Sequence, residues 1–585
     1  MQKEIIFAAN VEDLPYIQQL SAARNIQVLC VLPHVHEVTL RAGFLDAILV
    51  DLSNPSWQML GLEEQDTYLS LNAFTNLIQI PPLTKQARQA HLAFNEGLDA
   101  LLSGFLEGAT IGGWLPIQLA HFLHNALGYR RIWAEIVPRY SSGFWHVLVP
   151  NQPYCLGNHS CLASLLLADQ LSQSGMAYSA YETEIPGLGE GQFPDLKNIS
   201  PKVDLLCHIP TCFYDKEYFY DEIERSGLSF GILTSEVFDA APDTLPASGL
   251  CSLQEMLSQL NPADIERVYQ LEVPVTRFLQ AQLADYIPLS NYRNLQTRFW
   301  WECIRNQCFF FLWLNQYFSA KKPGQFLLSN HDAMQHGALL SFAKLHNIPV
   351  TIVPHSKVFN YPFFYDNPTN PPLCLHHGLQ DGPCVDTAGK VLPGGRLTFA
   401  GSWSQDPVAS REIQTLGIVL NGVHLIAWAE YMKGLLHIQR WCQEQNVRLR
   451  LRSRTGIPMQ LISQTLRMSP HELQRDSQGS VLDFAPGCDI LVSYDLHSSA
   501  VIELVREGYA CVHADLQPEM HGFWCTVDAM VVPRFRIAEL LERLTLMKAD
   551  PTWFRAFRSR QHQAALDTQV GAQPLGVWLR RQHST

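Results

Sequence analysis

Long apolar runs are missing from this sequence, and charged residues are scarce. The most apolar window, Cys308–Leu314, is seven residues long, whereas a helix that spans a bilayer needs about 20 apolar residues. Charged residues make up only 17% of the 585 residues, against 47% hydrophobic residues. This balance excludes an intrinsically disordered chain and predicts large buried cores.

Several short motifs with well-defined chemistry are also absent. None of the fourteen cysteines forms a Cys-x-x-Cys pair, which argues against a zinc ribbon and a disulfide scaffold. The sequence contains no phosphate-binding P-loop, no His-Glu-x-x-His zinc helix and no Gly-x-Gly-x-x-Gly after its first predicted strand. We therefore expect no metal ion and no cofactor. The N-terminus does not resemble an export signal, so we expect a cytoplasmic protein with reduced cysteines.

The charge balance is acidic. The chain carries 42 basic and 55 acidic residues, a formal net charge of −13. Binding along a nucleic-acid backbone needs a basic footprint, so we expect no nucleic-acid partner.

What the sequence does contain is a repeated alternation of short aliphatic runs and amphipathic segments, which predicts α/β structure with parallel sheets. Its length suggests about three or four domains. We expect an α/β accessory domain over residues 1–130, followed by Rossmann-like domains over residues 131–405 and 406–585. In the last domain, strands are predicted at Val423–Trp428, Val447–Arg452, Asp489–Ser493 and Ala510–Ala514.

One turn in the last domain has the pattern of an anion site. A buried strand ends at Ser493, and a polar turn leads to Ser498 and Ser499 at the start of the next predicted helix. Free amides at a helix N-terminus attract anions at the carboxyl end of a parallel strand. Glu503 lies one turn into that helix, where it suits ribose hydroxyls. The alternative interpretation is ordinary N-capping, although Glu503 does not fit a capping box with either serine.

The strand before this turn alternates arginine with other residues. Arg448, Arg450, Arg452 and Arg454 share one face because side chains alternate along a strand. We expect Arg452 and Arg454, near the carboxyl end, to bind phosphate. We expect Arg448 and Arg450 to pair with acids or to lie at the sheet margin. Exposure of all four on an edge strand is the alternative.

Three other turns carry candidate residues. Gly401 and Ser402 follow a short strand between the two Rossmann-like domains, where a cleft favours a ligand. Asp332 lies at a strand-to-helix turn, and His355 lies at the end of the next strand. His159 opens an earlier helix. Asp332, His355 and His159 are candidate bases for a hydroxyl nucleophile, although each also fits a purely structural turn or helix start.

The pattern over residues 140–585 resembles the GT-B glycosyltransferases. Residues 151–181 resemble the opening of the acceptor domain in that superfamily, and residues 329–356 resemble its final βαβ unit. Residues 398–403 resemble the turn before the nucleotide domain. The resemblance implies two facing Rossmann-like domains, with residues 1–130 as an additional N-terminal α/β unit.

Within this superfamily, the chain resembles bacterial surface-polysaccharide enzymes of the sialyl- and Kdo-transferase type. Several of these carry paired serines and a downstream Glu around the donor nucleotide, as Ser498, Ser499 and Glu503 do here. Relatives often have His-Pro after the strand that corresponds to Val447–Arg452, where this chain has Arg-Ser-Arg-Thr-Gly. Arginine would then have to take the phosphate role.

The resemblance implies transfer of a sugar from a nucleotide-sugar donor, with CMP as the nucleotide suggested by the sialyl-type likeness. The acceptor would be a hydroxyl of a glycan, a lipid-linked molecule or a protein. Two alternatives remain: a UDP-N-acetylhexosamine epimerase of the same fold, and a non-catalytic scaffold of a polysaccharide assembly complex that uses the aromatic segment 299–318 as a partner surface.

The C-terminal segment is basic in this acidic chain, with five arginines and one acid, Asp567, between Arg555 and Thr585. GT-B enzymes often return a final helix to the N-terminal domain, so we expect this segment to brace the two domains. Its expected buried contacts are Trp553, Phe554, Phe557 and Trp578. Its remaining arginines would make a weak, salt-sensitive contact with anionic lipid at the inner membrane face, because each basic residue adds about 1 kcal/mol.

Overall fold

A computed structural model describes residues 3–8, 13–22, 24–30, 33–49, 85–106, 117–150, 159–183, 192–208, 216–234, 247–328, 336–353, 370–377, 391–398, 412–420, 428–453, 459–495, 499–516 and 528–583. The chain divides into two compact units. The first comprises Met1–Cys212, Leu228–Ile352 and Phe363–Pro372, and the second comprises Phe213–Gly227, Val353–Pro362 and Leu373–Thr585.

The first unit begins with a five-stranded sheet in which all strands are parallel, in the order β3-β2-β1-β4-β5. Its strands are β1 (Glu4–Ala8), β2 (Ile26–Cys30), β3 (Ile48–Leu49), β4 (Phe144–Pro150) and β5 (Tyr178–Thr183). The helices of this region are α1 (Leu14–Ser21), α2 (Pro33–Arg41), α3 (Lys85–Leu102), α4 (Ile117–Arg139) and α5 (His159–Gln173).

The pairing of β1 with β4 joins segments that the sequence analysis separates at residue 130. That expected boundary falls inside helix α4. A buried histidine of β4 reinforces the pairing: His146 Nε2 lies 3.1 Å from Glu4 Oε2 on β1, and its Nδ1 lies 3.0 Å from the Tyr181 hydroxyl on β5. The division into three domains stays a prediction.

A second parallel arrangement in the first unit has the order β11-β10-β7-β8. Its strands are β7 (Leu205–His208), β8 (Phe230–Leu233), β10 (Gln325–Leu328) and β11 (Val350–Ile352). Strands β6 (Gln192–Asp195) and β9 (Gly249–Ser252) pair antiparallel beside it. The helices are α7 (Leu253–Leu257), α8 (Pro262–Gln270), α9 (Glu272–Leu283), α10 (Ser290–Tyr317) and α11 (His336–Leu345); α6 (Lys216–Arg225) belongs to the second unit.

Helix α10 supplies much of the core of the first unit. Fourteen of its 28 residues are buried, and six of its aromatic residues are at most 3% exposed, namely Trp300, Trp301, Phe309, Phe310, Phe311 and Trp313. Full burial of one such side chain contributes roughly 1.5–3 kcal/mol. The expectation that the aromatic segment 299–318 presents a surface to a partner is therefore wrong for these six residues, because they pack inward. No described helix is long and apolar enough to cross a bilayer.

The second unit contains a five-stranded, wholly parallel sheet with the order β15-β14-β16-β17-β18. Its strands are β14 (Thr415–Leu420), β15 (Arg448–Ser453), β16 (Ile490–Tyr494), β17 (Cys511–Ala514) and β18 (Arg534–Phe535), and β12 (Leu373–His377) pairs with β13 (Gly394–Leu397) elsewhere in the unit. The helices are α12 (Trp428–Glu444), α13 (Met459–Thr465), α14 (Pro470–Asp476), α15 (Val481–Phe484), α16 (Ser499–Arg506), α17 (Ile537–Ala549), α18 (Pro551–Asp567) and α19 (Leu575–His583). The predicted α/β class with parallel sheets is confirmed.

The C-terminal helices are tied into the second unit by aromatic and polar contacts. Phe554 and Phe557 are buried as expected, whereas Trp553 and Trp578 are partly exposed. Helix α19 packs against α6, more than 350 residues earlier: the Gly576 amide donates to Glu222, and Arg580 donates to the Arg225 carbonyl. Of the five arginines, Arg558 is only 5% exposed and lies over the Phe554 ring, so it is withdrawn from any lipid contact. Lipid contact by the others stays a prediction.

Helix α12 packs closely against the sheet at Gly434. The Tyr494 hydroxyl on β16 donates a 2.6 Å hydrogen bond to the Tyr431 carbonyl in α12. A Cβ placed on Gly434 would collide with that same hydroxyl. Any side chain at position 434 would therefore displace the Tyr494 hydroxyl and break this buried hydrogen bond.

We expect Gly434→Ala to lower the free energy of unfolding by roughly 1–3 kcal/mol, as overpacked cores do, in spite of a gain of up to about 1 kcal/mol in helix propensity. Hydrogen exchange of peptides from β14 to β17 measures this locally. In a Tyr494→Phe background the same substitution should cost markedly less. Equal costs in both backgrounds would show that the hydroxyl is not the obstacle.

Candidate functional site

The carboxyl ends of four strands of the second unit lie side by side. Leu420 of β14 is in register with Ser453 of β15 and Tyr494 of β16, and Tyr494 is in register with Ala514 of β17. In open parallel sheets, ligands bind at this edge. The side chains that follow these strands therefore form the candidate site of the second unit.

Two buried aspartates follow directly after neighbouring strands. Asp495 comes after β16 and is 8% exposed, and Asp515 comes after β17 and is 5% exposed. The Asp495 amide donates to the Ala514 carbonyl, and the Asp515 amide donates to the Phe535 carbonyl, so both backbones continue the sheet. Asp495 has φ of 68°, a left-handed conformation uncommon outside glycine. Among the described residues, its Oδ2 has no hydrogen-bond partner.

Burial, and secondarily the negative charge of Asp515, raises the pKa of Asp495 to about 8. Asp495 is therefore mostly protonated at neutral pH. A neutral carboxylic acid can donate a hydrogen bond, and it adds little negative charge at this edge of the sheet. The sequence analysis missed both aspartates. The available signal was their position, since each directly follows a buried strand.

The raised pKa of Asp495 predicts a pH dependence of stability. Because the folded state holds this proton up to about pH 8 and the unfolded chain releases it near pH 4, the folded state binds more protons between these values. The contribution of Asp495 to stability is full below about pH 4. It is lost as the pH rises to 8, at up to roughly 1.4 kcal/mol per pH unit.

We expect Asp495→Asn to flatten this dependence, and Asn tolerates the left-handed backbone well. Urea unfolding between pH 4.5 and 8.5 is the measurement. The matched control is Asp567→Asn, at an exposed carboxylate on α18. A slope that is the same in wild type and Asp495→Asn would contradict the assignment of the proton to Asp495.

The first two arginines of β15 pair with acids, as the sequence predicts. Arg448 lies 3.5 Å from Glu472, and both side chains are largely exposed. Arg450 grips Asp476 with two hydrogen bonds of 3.0 Å, donates to the Phe484 carbonyl at 3.2 Å and lies 4.6 Å above the Phe484 ring. The prediction that Arg448 and Arg450 pair with acids is confirmed.

Arg452 binds backbone rather than an acid. Its guanidinium donates to the carbonyls of Asp476 at 3.1 Å, Gln478 at 2.9 Å and Gly479. It thus caps the carboxyl end of α14, where helix carbonyls attract cations. Burial lowers the pKa of Arg452, and the charges of Asp483 and Glu503 act in the opposite direction. The structure therefore brings Arg452 and Glu503, two predicted site residues, into one electrostatic neighbourhood.

Helix α16 begins at Ser499, close to the predicted start, and Glu503 lies one turn in and is partly buried. Of Ser499 and His159 only the backbone is described, each as the first residue of its helix. The remaining predicted site residues lie outside the described residues, namely Ser498, Arg454, Gly401, Ser402, Asp332 and His355.

The first unit has its own pair of buried side chains at a carboxyl edge. His208 ends β7, and His336 opens α11, four residues after Asp332; their rings lie 4.9 Å apart, edge to face. Burial lowers the pKa of His208 to about 3, so its imidazole is neutral. The sequence analysis did not single out this pair, because its members lie 128 positions apart and only the pairing of β7 with β10 brings them together.

The two ion pairs of β15 predict different consequences of substitution. We expect Arg450→Ala to lower the free energy of unfolding of the second unit by roughly 1–3 kcal/mol, because it removes two hydrogen bonds from the buried Asp476, which among the described residues keeps only Arg475 as a charged partner. Arg448→Ala, on the same strand face, should cost less than about 1 kcal/mol because that pair is solvated. Hydrogen exchange over β14 to β17 distinguishes the two. Similar losses in both variants would count against the buried pair.

Comparison with known proteins gives structural likeness only. No family model and no curated protein matches the sequence. The chain is similar to SsfS6, a glycosyltransferase of Streptomyces sp. SF2575 complexed with thymidine diphosphate, at 11% identity and a TM-score of 0.34, covering 65% of this chain and 99% of that one. The same four values hold for MurG of Acinetobacter baumannii. TarM is similar at 10% identity and a TM-score of 0.32, over 48% of this chain and 58% of that one. At these TM-scores no argument about the present chain rests on the likeness.

Proposed function

We propose that this protein is a glycosyltransferase of the GT-B type that binds a nucleotide-sugar at the carboxyl edge of the second-unit sheet. The observation that supports this most is that the charge of Glu503, one turn into α16, acts on the Arg452 guanidinium near the end of the neighbouring strand β15. A cation and a helix N-terminus suit phosphate, and a carboxylate one turn in suits ribose hydroxyls.

In this proposal the amides at the start of α16 and Arg452 hold the phosphates. Arg452 has five N–H donors, and three of them are used by carbonyls at the end of α14. Counting partners among the described residues, two donors therefore remain for phosphate oxygens, on a guanidinium whose position is already fixed. The protonated Asp495 beside this edge avoids the repulsion that an additional carboxylate would exert on the donor.

Ser498, Ser499 and Arg454 complete the donor site in this proposal, and Gly401 and Ser402 contribute a turn. An acceptor hydroxyl attacks the anomeric carbon while a base takes its proton, and the bond from that carbon to the phosphate oxygen breaks. Asp332, His159 and His355 are the candidate bases. Fixed positive charge close to the departing phosphate stabilises the negative charge on it and so lowers the barrier. Such electrostatic stabilisation is the largest contribution in many such sites. We propose CMP as the nucleotide and a surface-glycan or protein hydroxyl as the acceptor.

We expect one nucleotide among CMP, UDP, GDP and TDP to raise the unfolding temperature of the full protein, because a ligand that binds only the native state stabilises it. Glu503→Ala should weaken binding of that nucleotide by roughly 1–3 kcal/mol, the value of a lost hydrogen bond to a charged group. Isothermal titration calorimetry of the purified variants measures the difference.

The matched control is Glu507→Ala, one helical turn further on, whose carboxylate pairs with Arg506. It should leave affinity unchanged. Equal affinity in folded Glu503→Ala and wild-type protein would remove Glu503 from the site, and no binding of any of the four nucleotides would overturn the proposal as a whole. A product formed from the nucleotide-sugar without any acceptor would instead indicate an epimerase.

A further inference from the structure

A cavity of about 750 Å³ lies in the first unit, within the size range of pockets that hold small organic ligands. Its walls come from the end of α10, the end of α11, the start of α8, the three residues before α8 and Phe105 after α3. All of these elements belong to one compact unit.

The cavity is remote from the carboxyl edge of its own sheet. Helix α11 starts at His336, next to His208 at the carboxyl end of β7, and runs back toward the start of β11. Leu345 and His346, at the far end of α11, line the cavity. A helix of ten residues is about 15 Å long, so the cavity lies at the amino edge.

The polar groups of the cavity are held in place by bonds to one another. His346 Nε2 lies 2.7 Å from Asn315 Oδ1, and Asn315 Nδ2 donates to the Phe311 carbonyl. Gln316 donates through Nε2 to the Gln259 carbonyl at 2.7 Å, which leaves its Oε1 as an acceptor. Such fixed side chains lose little freedom when a ligand binds.

Asn261 supplies the complementary donor. Its Oδ1 accepts from the Ala263 amide at 2.9 Å and caps α8. Among the described residues its Nδ2 makes no hydrogen bond, so this donor is open to a ligand. The cavity thus offers both a donor and an acceptor, the pattern that a hydroxyl group satisfies.

The lining carries no net formal charge when His346 is neutral. Asp264 and Arg267 pair at 3.2 Å, and Arg267 also lies 5.5 Å above the Phe105 ring. A charged ligand would therefore meet no unbalanced charge. Leu312 and Leu345 also line the cavity and add apolar surface, which suits the C–H faces of a sugar ring.

From these observations we infer that the cavity binds a neutral sugar, such as one or two residues of a glycan chain, apart from any reaction at the carboxyl edges. The inference goes beyond the proposed transferase activity and does not rest on it. In a transferase, a second glycan contact would hold the acceptor chain near the protein between turnovers.

Calorimetric titration of the full protein with maltose, lactose, cellobiose and N,N′-diacetylchitobiose tests the inference. At least one of these should bind. Asn261→Asp keeps the helix cap but replaces the donor with an acceptor, and Gln316→Ala removes the acceptor. Each should weaken binding at least fivefold. Gln270→Ala, an exposed glutamine on α8 outside the cavity, should leave binding unchanged.

Several results would overturn the inference: no binding of any of the four disaccharides, binding that neither cavity variant alters, or tighter binding of N-acetylneuraminic acid than of every neutral sugar. Because the readout is binding without a nucleotide, failure here is independent of the donor-site experiment. Unchanged circular dichroism of the variants ensures that lost affinity reflects the cavity rather than unfolding.

Discussion

The second unit is organised around the buried pair of Arg450 and Asp476. A guanidinium on β15 that grips the last residue of α14, while its face covers the Phe484 ring of α15, fixes both helices against the edge of the sheet. Arg452, two positions along the same face, then finds carbonyl acceptors in the turn that Arg450 has positioned. Removal of Arg450 would thus displace the carbonyl acceptors of Arg452 and so affect Arg452 indirectly.

The three described arginines of β15 differ in how their charges are compensated. Arg448 is solvated, Arg450 is neutralised by a carboxylate, and Arg452 is bonded only to dipoles, so it keeps its full positive charge at the carboxyl edge. Asp495, at the end of β16, contributes little negative charge because burial keeps it mostly protonated. Arg452 and the protonated Asp495 thus limit the negative charge that Glu503 and Asp515 bring to this edge, in a chain whose overall charge is strongly negative.

The sequence predicted β15, β16 and β17 to within one residue at each end, β16 and β17 as short runs of buried residues and β15 from its alternation of arginine with other residues. It missed β14, Thr415–Leu420. Of the predicted strand Val423–Trp428 only Trp428 lies within the described residues, and α12 begins there. In the site, the partners of Arg448 and Arg450 were predictable because acids were needed to neutralise them. The capping role of Arg452 was not, because its acceptors are carbonyls that every residue carries. Asp495 and Asp515 were missed because their proximity depends on strand order.

Strand β1 occupies the middle of the first sheet, with β2 on one side and β4 on the other. During translation, the central strand β1 is therefore synthesised more than 130 residues before its neighbour β4. Until β4 emerges, β1 has an unpaired edge, the kind of surface on which foreign strands assemble. A shortened protein that starts at residue 131, the expected domain boundary, would keep β4 and β5 but lack β1. The unpaired edge would then be on β4, and His146 would lose its contact with Glu4. Strands β1, β2 and β3, which all lie within the first 130 residues, are thus integral to the sheet that β4 and β5 complete.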